Sequence, residues 1–123
     1  MSEQLINNQV DLLGQVYHNL TRSGTAYKEY LENGKTFKYA RELRIYNELI
    51  RKLLLEKGSL LSEELQADAL SLLAHYDAWI QKWDELKAEI NPLDDDVFIF
   101  VNSSTFPRAA AQNLEKEYAR LRG

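Results

Sequence analysis

The feature that most constrains the fold is an apolar repeat between Ser62 and Ile90, with alternating spacings of four and three residues. This spacing keeps apolar side chains on one face of an α-helix, so the repeat predicts one helix over 62–90 that packs against neighbouring helices. Ser62 offers a hydroxyl to cap the first turn, and Asn91-Pro92 ends the pattern. The members of the repeat are Leu65, Ala69, Leu72, Tyr76, Trp79, Trp83, Leu86 and Ile90.

Apolar residues with the same alternating spacing of four and three also occur in the segments before and after this helix. Ser23-Gly24 predicts a stop between two helices, and Asn33-Gly34 predicts a second interruption, because glycine suits a C-terminal cap with positive φ. Short connections make successive helices antiparallel neighbours. We therefore predict an all-α fold, a single domain over 1–123 built as an up-and-down bundle of about four helices: 3–22, 25–57 with a break near Gly34, 62–90 and 107–122.

The helix around 36–57 is apolar on more than one side. Its main stripe contains Tyr39, Leu43, Tyr46, Ile50 and Leu53. A second set of apolar side chains, namely Ile45, Leu49 and Leu54, widens that stripe. This breadth predicts that the helix contacts more than one neighbour.

The length of the 62–90 helix poses a packing problem. At 1.5 Å per residue it would be roughly 43 Å long, whereas a compact domain of this chain length is only about 35 Å across. Either the bundle is elongated, or a second copy of the chain covers the overhanging end.

Residues 97–101, Val-Phe-Ile-Phe-Val, do not follow the helical pattern of the preceding segments. Every position is β-branched or aromatic, which predicts an extended segment buried on both faces. Either this segment packs over the bundle, which we favour, or it pairs with the same segment of a second chain.

Charge is distributed unevenly along the chain, although its net value is only −4. Residues 35–57 carry seven basic and three acidic groups, whereas residues 58–106 carry two basic and ten acidic groups. This contrast predicts two neighbouring elements that pack with opposite charge at their rims. The alternative is a basic patch for nucleic acid or another acidic partner, formed by Lys38, Arg41, Arg44, Arg51 and Lys52.

Catalytic and metal-binding patterns are weak. The chain has no cysteine and lacks nucleophile-elbow, phosphate-loop and dinucleotide motifs. His75 is a candidate general base or ligand beside a bundle pocket, but a boundary position next to Tyr76 and Trp79 suits it better. Asp94-Asp95-Asp96 does not have the spacing of a calcium loop and reads as a solvated turn. We expect no metal and no cofactor, and enzyme activity is less favoured than its absence.

These observations give three functional hypotheses. The first is a non-enzymatic helical interaction or scaffold module, bacterial and cytoplasmic, that acts through protein–protein contacts and self-associates as a homodimer. No apolar run approaches the roughly 18 residues of a membrane span, so membrane insertion is not expected. The second is a nucleic-acid or acidic-partner binder using 35–57, and the third is a small-ligand sensor or enzyme with a pocket near His75. Candidate partner-binding residues are Tyr76, Trp79, Trp83, Val97, Phe98 and Phe100.

Overall fold

The computed structural model describes residues 2–99, 102 and 104–123. Its helices are α1 (Glu3–Glu32), α2 (Phe37–Lys57), α3 (Glu63–Ile90) and α4 (Arg108–Arg122), with a single 3-10 turn at Gly58–Leu60 between α2 and α3. Each helix packs against the next along the chain, and α4 returns to α1. This arrangement confirms the predicted all-α bundle, and α3 is the single uninterrupted helix that its apolar repeat predicts.

The predicted break at Ser23-Gly24 is wrong, because α1 runs without interruption from Glu3 to Glu32. The buried positions continue on one face across the glycine, from Val16 to Ala26 and Tyr30. Ser23 faces α2 and donates a hydrogen bond from its hydroxyl to Asn47 Oδ1 at 3.3 Å. Packing against α2 therefore outweighs the roughly 1 kcal/mol that a glycine costs in a helix interior.

The interruption predicted near Gly34 is confirmed. Asn33 follows the last residue of α1, and Gly34 takes a φ of +79°. Glycine adopts this left-handed conformation without the steric penalty that a Cβ brings. The chain reverses here so that α2 can pack along α1.

The 15 residues of α4 cover only half of α1 and α3, which have 30 and 28 residues. Beside α4 the core is mainly aliphatic, with Leu13, Ile50, Leu72 and Leu114 among its members. Beyond α4 the core is aromatic, and it contains Tyr30, Phe37, Trp79, Trp83 and Phe98. Phe98, from the segment before α4, takes the place that a longer fourth helix would occupy. The bundle is thus covered at this end within one chain.

The segment around Phe98 is extended, as predicted for 97–101, but only one of its faces is buried. Val97 forms an isolated antiparallel bridge with Thr36, and Phe98 N–H donates to the Lys35 carbonyl at 2.8 Å. Phe98 is 1% exposed, whereas Val97 and Ile99 are 52% and 59% exposed. Burial on both faces is therefore wrong for the described part, because the segment lies on the bundle surface with one side toward solvent. Residues 100 and 101 lie outside the described residues.

The acidic turn before this segment caps α2. Thr36 precedes α2 but makes no side-chain capping bond. Instead, the N–H groups of Phe37 and Lys38 donate to the carbonyls of Asp96 and Asp94 at 2.8 and 3.0 Å. These bonds satisfy two of the amides that every helix N-terminus leaves unpaired. The turn therefore fixes the start of α2 against the end of α3.

The continuity of α1 predicts the sign of a substitution at Gly24. A Cβ at this position would meet no atom within 4 Å, and the backbone is helical. Gly24→Ala should therefore raise the free energy of unfolding by about 0.5–1 kcal/mol, measured by urea denaturation. Gly34→Ala is the matched control and should destabilise, since φ is +79° there. Loss of stability in Gly24→Ala would contradict a continuous α1.

Candidate protein interaction surface

Four of the six residues predicted to bind a partner lie in the core. Tyr76, Trp79, Trp83 and Phe98 are each 8% exposed or less. Trp79 and Trp83 stack at 5.8 Å between ring centroids, and Phe98 meets both rings edge-on at 5.2 and 5.3 Å. These rings stabilise the bundle by burial and by favourable aromatic geometry. A partner cannot reach them in this conformation.

The two remaining candidates differ. The side chain of Val97 is half exposed at the surface of the extended segment. Phe100 lies outside the described residues. Of the five candidates that the structure describes, Val97 alone is placed where a partner could contact it.

Burial also determines the state of the polar groups in this core. Among the described residues, Tyr76 Oη and Trp83 Nε1 are buried without a hydrogen-bond partner. Burial raises the pKa of Tyr76 well above its usual value, so its hydroxyl stays neutral. The Tyr30 hydroxyl donates to the Phe98 carbonyl, and burial raises the pKa of Tyr30 to about 12.

The predicted basic patch is largely neutralised by its neighbours. Arg41 pairs with Asp94, and Arg51 pairs with Asp77. Arg44 binds Glu48 at 2.9 Å and Asp84 at 3.2 Å. The last two members, Lys38 and Lys52, lie on the exposed side of α2 and have no ion pair with any described residue. The prediction that oppositely charged rims pack together is confirmed, because three arginines of α2 face acids of α3 or the turn after it.

These ion pairs border an open groove between α2 and α3. Arg51, Asp77, Ile80, Gln81, Asp84 and Glu85 line it. All three of its acids are exposed, and two of them are held by arginines of α2. The groove therefore shows how α2 and α3 are aligned, and it presents no buried polar group that would select a ligand.

His75 lies at the junction of α3 with the segment before α4. Its Nδ1 is 2.8 Å from the Ser104 carbonyl, so this nitrogen carries the proton and donates it to that oxygen. The rings of Tyr76 and Phe106 meet the imidazole edge-on at 5.1 and 5.3 Å. Burial lowers the pKa of His75, although the bond to Ser104 opposes this shift. His75 thus fastens the connection to α4 as a neutral side chain.

The described residues around His75 do not form a cluster of polar side chains of the kind that a catalytic or metal site requires. Asn102 donates from its Nδ2 to the His75 carbonyl at 3.5 Å, and its Oδ1 accepts from Ser104 N–H at 2.8 Å. These bonds hold the backbone of the connection in place. Among the described residues no group of three or more His, Asp or Glu side chains is positioned to bind a metal ion.

The outer face of α2 is the surface that stands out. Ile45 and Leu49 are 55% and 43% exposed, on the side of the helix opposite the buried Leu43, Ile50 and Leu54. Of the three side chains predicted to widen the apolar stripe, only Leu54 enters the core. We define the outer stripe of α2 as Lys38, Glu42, Ile45, Leu49, Lys52 and Glu56, all of which are exposed.

The charged members of the outer stripe are not held in ion pairs, although the Lys38 ammonium lies 5.6 Å from the centroid of the Tyr39 ring. None of the four makes an ion pair within 4 Å of a described residue. The pKa of Arg22 on α1 is raised mainly by its hydrogen bond to the Tyr46 hydroxyl, and Glu42 adds a smaller contribution. Ile45 and Leu49 are recognisable as apolar in the sequence, but periodicity alone does not tell whether a neighbouring helix covers them. Exposure of these two side chains could be predicted only from the positions of α1 and α3, which pack against the other sides of α2.

Other exposed apolar side chains occur around the bundle. Tyr27 and Leu31 lie one turn apart near the end of α1 and are 52% and 44% exposed. Leu70 on α3 and Leu93 in the acidic turn are 66% and 70% exposed. Single exposed apolar side chains are normal on protein surfaces. The outer stripe of α2 differs because its apolar pair is bracketed on both sides by charges of both signs.

Comparison with protein-family models, curated proteins and solved structures finds no match for this chain. Among the described residues, no helix combines the length and the apolar character needed to cross a membrane.

The lowered pKa of His75 predicts a pH dependence of stability. In the unfolded chain a histidine titrates near 6.5, so below that pH the unfolded state binds more protons than the folded state. The free energy of unfolding should therefore fall as the pH drops from 7 through the lowered pKa of folded His75. Urea denaturation at pH 7 and pH 5 should show a smaller loss in His75→Gln than in the wild type.

The exposed His18 supplies the control for this measurement. His18→Gln should keep the pH dependence of the wild type. An equal loss of stability in the wild type and in His75→Gln would show that burial of His75 is not the cause.

Proposed function

We propose that the chain is a non-enzymatic helical interaction module that acts through protein–protein contacts, and that the outer stripe of α2 is its contact surface. The observation that carries this proposal is the exposure of Ile45 and Leu49 on the face of α2 opposite the core, between charged side chains that have no ion pair among the described residues. An apolar centre within a charged rim is the usual anatomy of a protein interface. The proposal keeps the bacterial, cytoplasmic setting expected from the sequence.

The contact surface differs from the aromatic set predicted from the sequence. Because Tyr76, Trp79, Trp83 and Phe98 are buried, binding through them would require the bundle to open. Removing a buried aromatic side chain from its packing costs about 3–5 kcal/mol. Ile45 and Leu49 reach a partner with no such cost, since both are already exposed.

The size of the stripe favours a reversible contact. Full burial of one Ile or Leu side chain contributes about 1.5–3 kcal/mol, and here each side chain is already partly covered. Exposed ion pairs add about 0–1 kcal/mol each. Binding of this kind suits a module that assembles and separates with concentration.

The nucleic-acid alternative loses support from the ion pairs of α2. Arg41, Arg44 and Arg51 face carboxylates of the same chain. Lys38 and Lys52 alternate with Glu42 and Glu56 along the outer stripe, so this face has no excess of positive charge. Phosphate binding relies on such an excess.

A photo-crosslinking residue at position 45 tests the proposal. In cells that produce the chain, illumination should give protein adducts from position 45, and Leu49→Glu in the same chain should abolish them. The controls are the same residue at Ala67 of α3 and Ala119 of α4, which are also exposed but lie off the stripe.

Mass spectrometry identifies what is captured. Adducts with a second copy of the chain, or with a defined protein, at position 45 alone would support the contact surface. Equal adducts from all three positions, or none from position 45, would contradict it.

A further inference from the structure

We infer that the partner of the outer stripe is a second copy of this chain, bound through antiparallel pairing of the two α2 helices about a two-fold axis that crosses the outer stripe at the level of Asn47. The inference rests on the proposed function and adds the identity and the orientation of the partner. The observation that supports this inference is the order of charges along the outer stripe.

The outer stripe has the spacing of a helix-pairing seam. Its members follow one another at intervals of four, three, four, three and four residues, from Lys38 to Glu56. This is the a/d spacing that lets one helix pack along another. The seam covers 18 residue steps, or about 27 Å of helix. All six side chains are exposed, so no neighbour within the chain covers it.

The charges of the seam are complementary to themselves when one copy is reversed. Positions 45 and 49 are equidistant from Asn47, as are 42 and 52, and 38 and 56. A two-fold axis there sets Ile45 against the partner's Leu49. The same axis sets Glu42 against the partner's Lys52, and Lys38 against the partner's Glu56. Every layer then joins two apolar side chains or two opposite charges, and antiparallel helices pair a with d positions in this way.

Other arrangements of the same helices are less favourable. Parallel pairing would put each Lys and each Glu against its own copy, and like charges in contact are repulsive. An antiparallel slip of one heptad would set Ile45 against the partner's Glu56 and Leu49 against the partner's Lys52. One register alone therefore satisfies both the apolar pair and the charges.

The residues beside the seam are compatible with this register. Glu48 lies near the proposed axis, where it would approach its own copy, but Arg44 holds its carboxylate at 2.9 Å. Arg41 is paired with Asp94. The flank toward α3 thus carries charges that are already neutralised within each chain.

Sedimentation velocity of the purified chain from about 5 to 500 µM, at low salt, tests the inference. The wild type should form a dimer whose fraction rises with concentration, and Ile45→Glu should remain monomeric. Leu70→Glu is the matched control, because Leu70 is an exposed apolar residue of α3, and it should dimerise like the wild type. Circular dichroism should show folded protein for every variant, since all substituted positions are exposed.

Charge exchange tests the register. Lys38→Glu places a carboxylate opposite the partner's Glu56 in two symmetric layers and should weaken the dimer about tenfold. Adding Glu56→Lys restores opposite charges in the proposed register only, so the double variant should dimerise within about twofold of the wild type. High salt should reduce both effects.

Each result decides between the two levels of the proposal. A wild type that stays monomeric at 500 µM would overturn the second copy as partner, whereas adducts of position 45 with a different protein would leave the contact surface intact. A dimer that Ile45→Glu does not disrupt would overturn the use of this stripe. Failure of Glu56→Lys to rescue Lys38→Glu would overturn the antiparallel register.

Discussion

A fourth helix half as long as its neighbours imposes the constraint on which this structure depends. Beside α4 the core is closed by helices on all sides, but beyond it α1, α2 and α3 would leave their aromatic side chains open on one side. Phe98 closes this gap, because it packs edge-on against Trp79, Trp83 and Phe37 at 5.1–5.3 Å between centroids. One extended residue thus closes the side of the core that α4 does not reach.

The same segment determines the orientation of α2. Backbone bonds from Phe37 and Lys38 to the turn that precedes Phe98 replace a side-chain cap, and Arg41 pairs with Asp94 of that turn. Farther along, Arg44 and Arg51 bind acids of α3. These contacts hold α2 with one face in the core and the opposite face in solvent. The outer stripe is therefore a consequence of how the aromatic end is closed.

Closure within one chain also changes the surface through which we propose self-association. From the sequence, the length of the 62–90 helix and the apolar segment after it suggest surfaces that a monomer cannot cover. In the structure, Trp79, Trp83 and Phe98 are covered without a second copy. The proposed self-association therefore uses α2, whose exposed charges are complementary to themselves when one copy is reversed.

Local signals predict α3 and the break at Gly34 well, because an apolar repeat and a glycine with positive φ act within a few residues. Ser62 does precede α3, but the cap predicted from its hydroxyl is wrong, since its side chain makes no capping hydrogen bond. The same signals fail at Ser23-Gly24, where contact with α2 keeps α1 helical. Local signals also miss the cap of α2. The carbonyls of Asp94 and Asp96 accept hydrogen bonds from amides that are more than 50 residues away in the sequence. The sequence shows that Ile45 and Leu49 of the outer stripe are apolar, but their exposure depends on where α1 and α3 pack against α2.

The closure of the aromatic core by Phe98 is tested most directly by urea denaturation of Phe98→Ala. The free energy of unfolding should fall by about 3 kcal/mol, since a fully buried aromatic ring is removed. Ile99→Ala, at the neighbouring exposed position, should change it by no more than about 0.5 kcal/mol. Equal and small losses in the two variants would contradict closure by Phe98, because they would show that the aromatic half of the core does not depend on this residue.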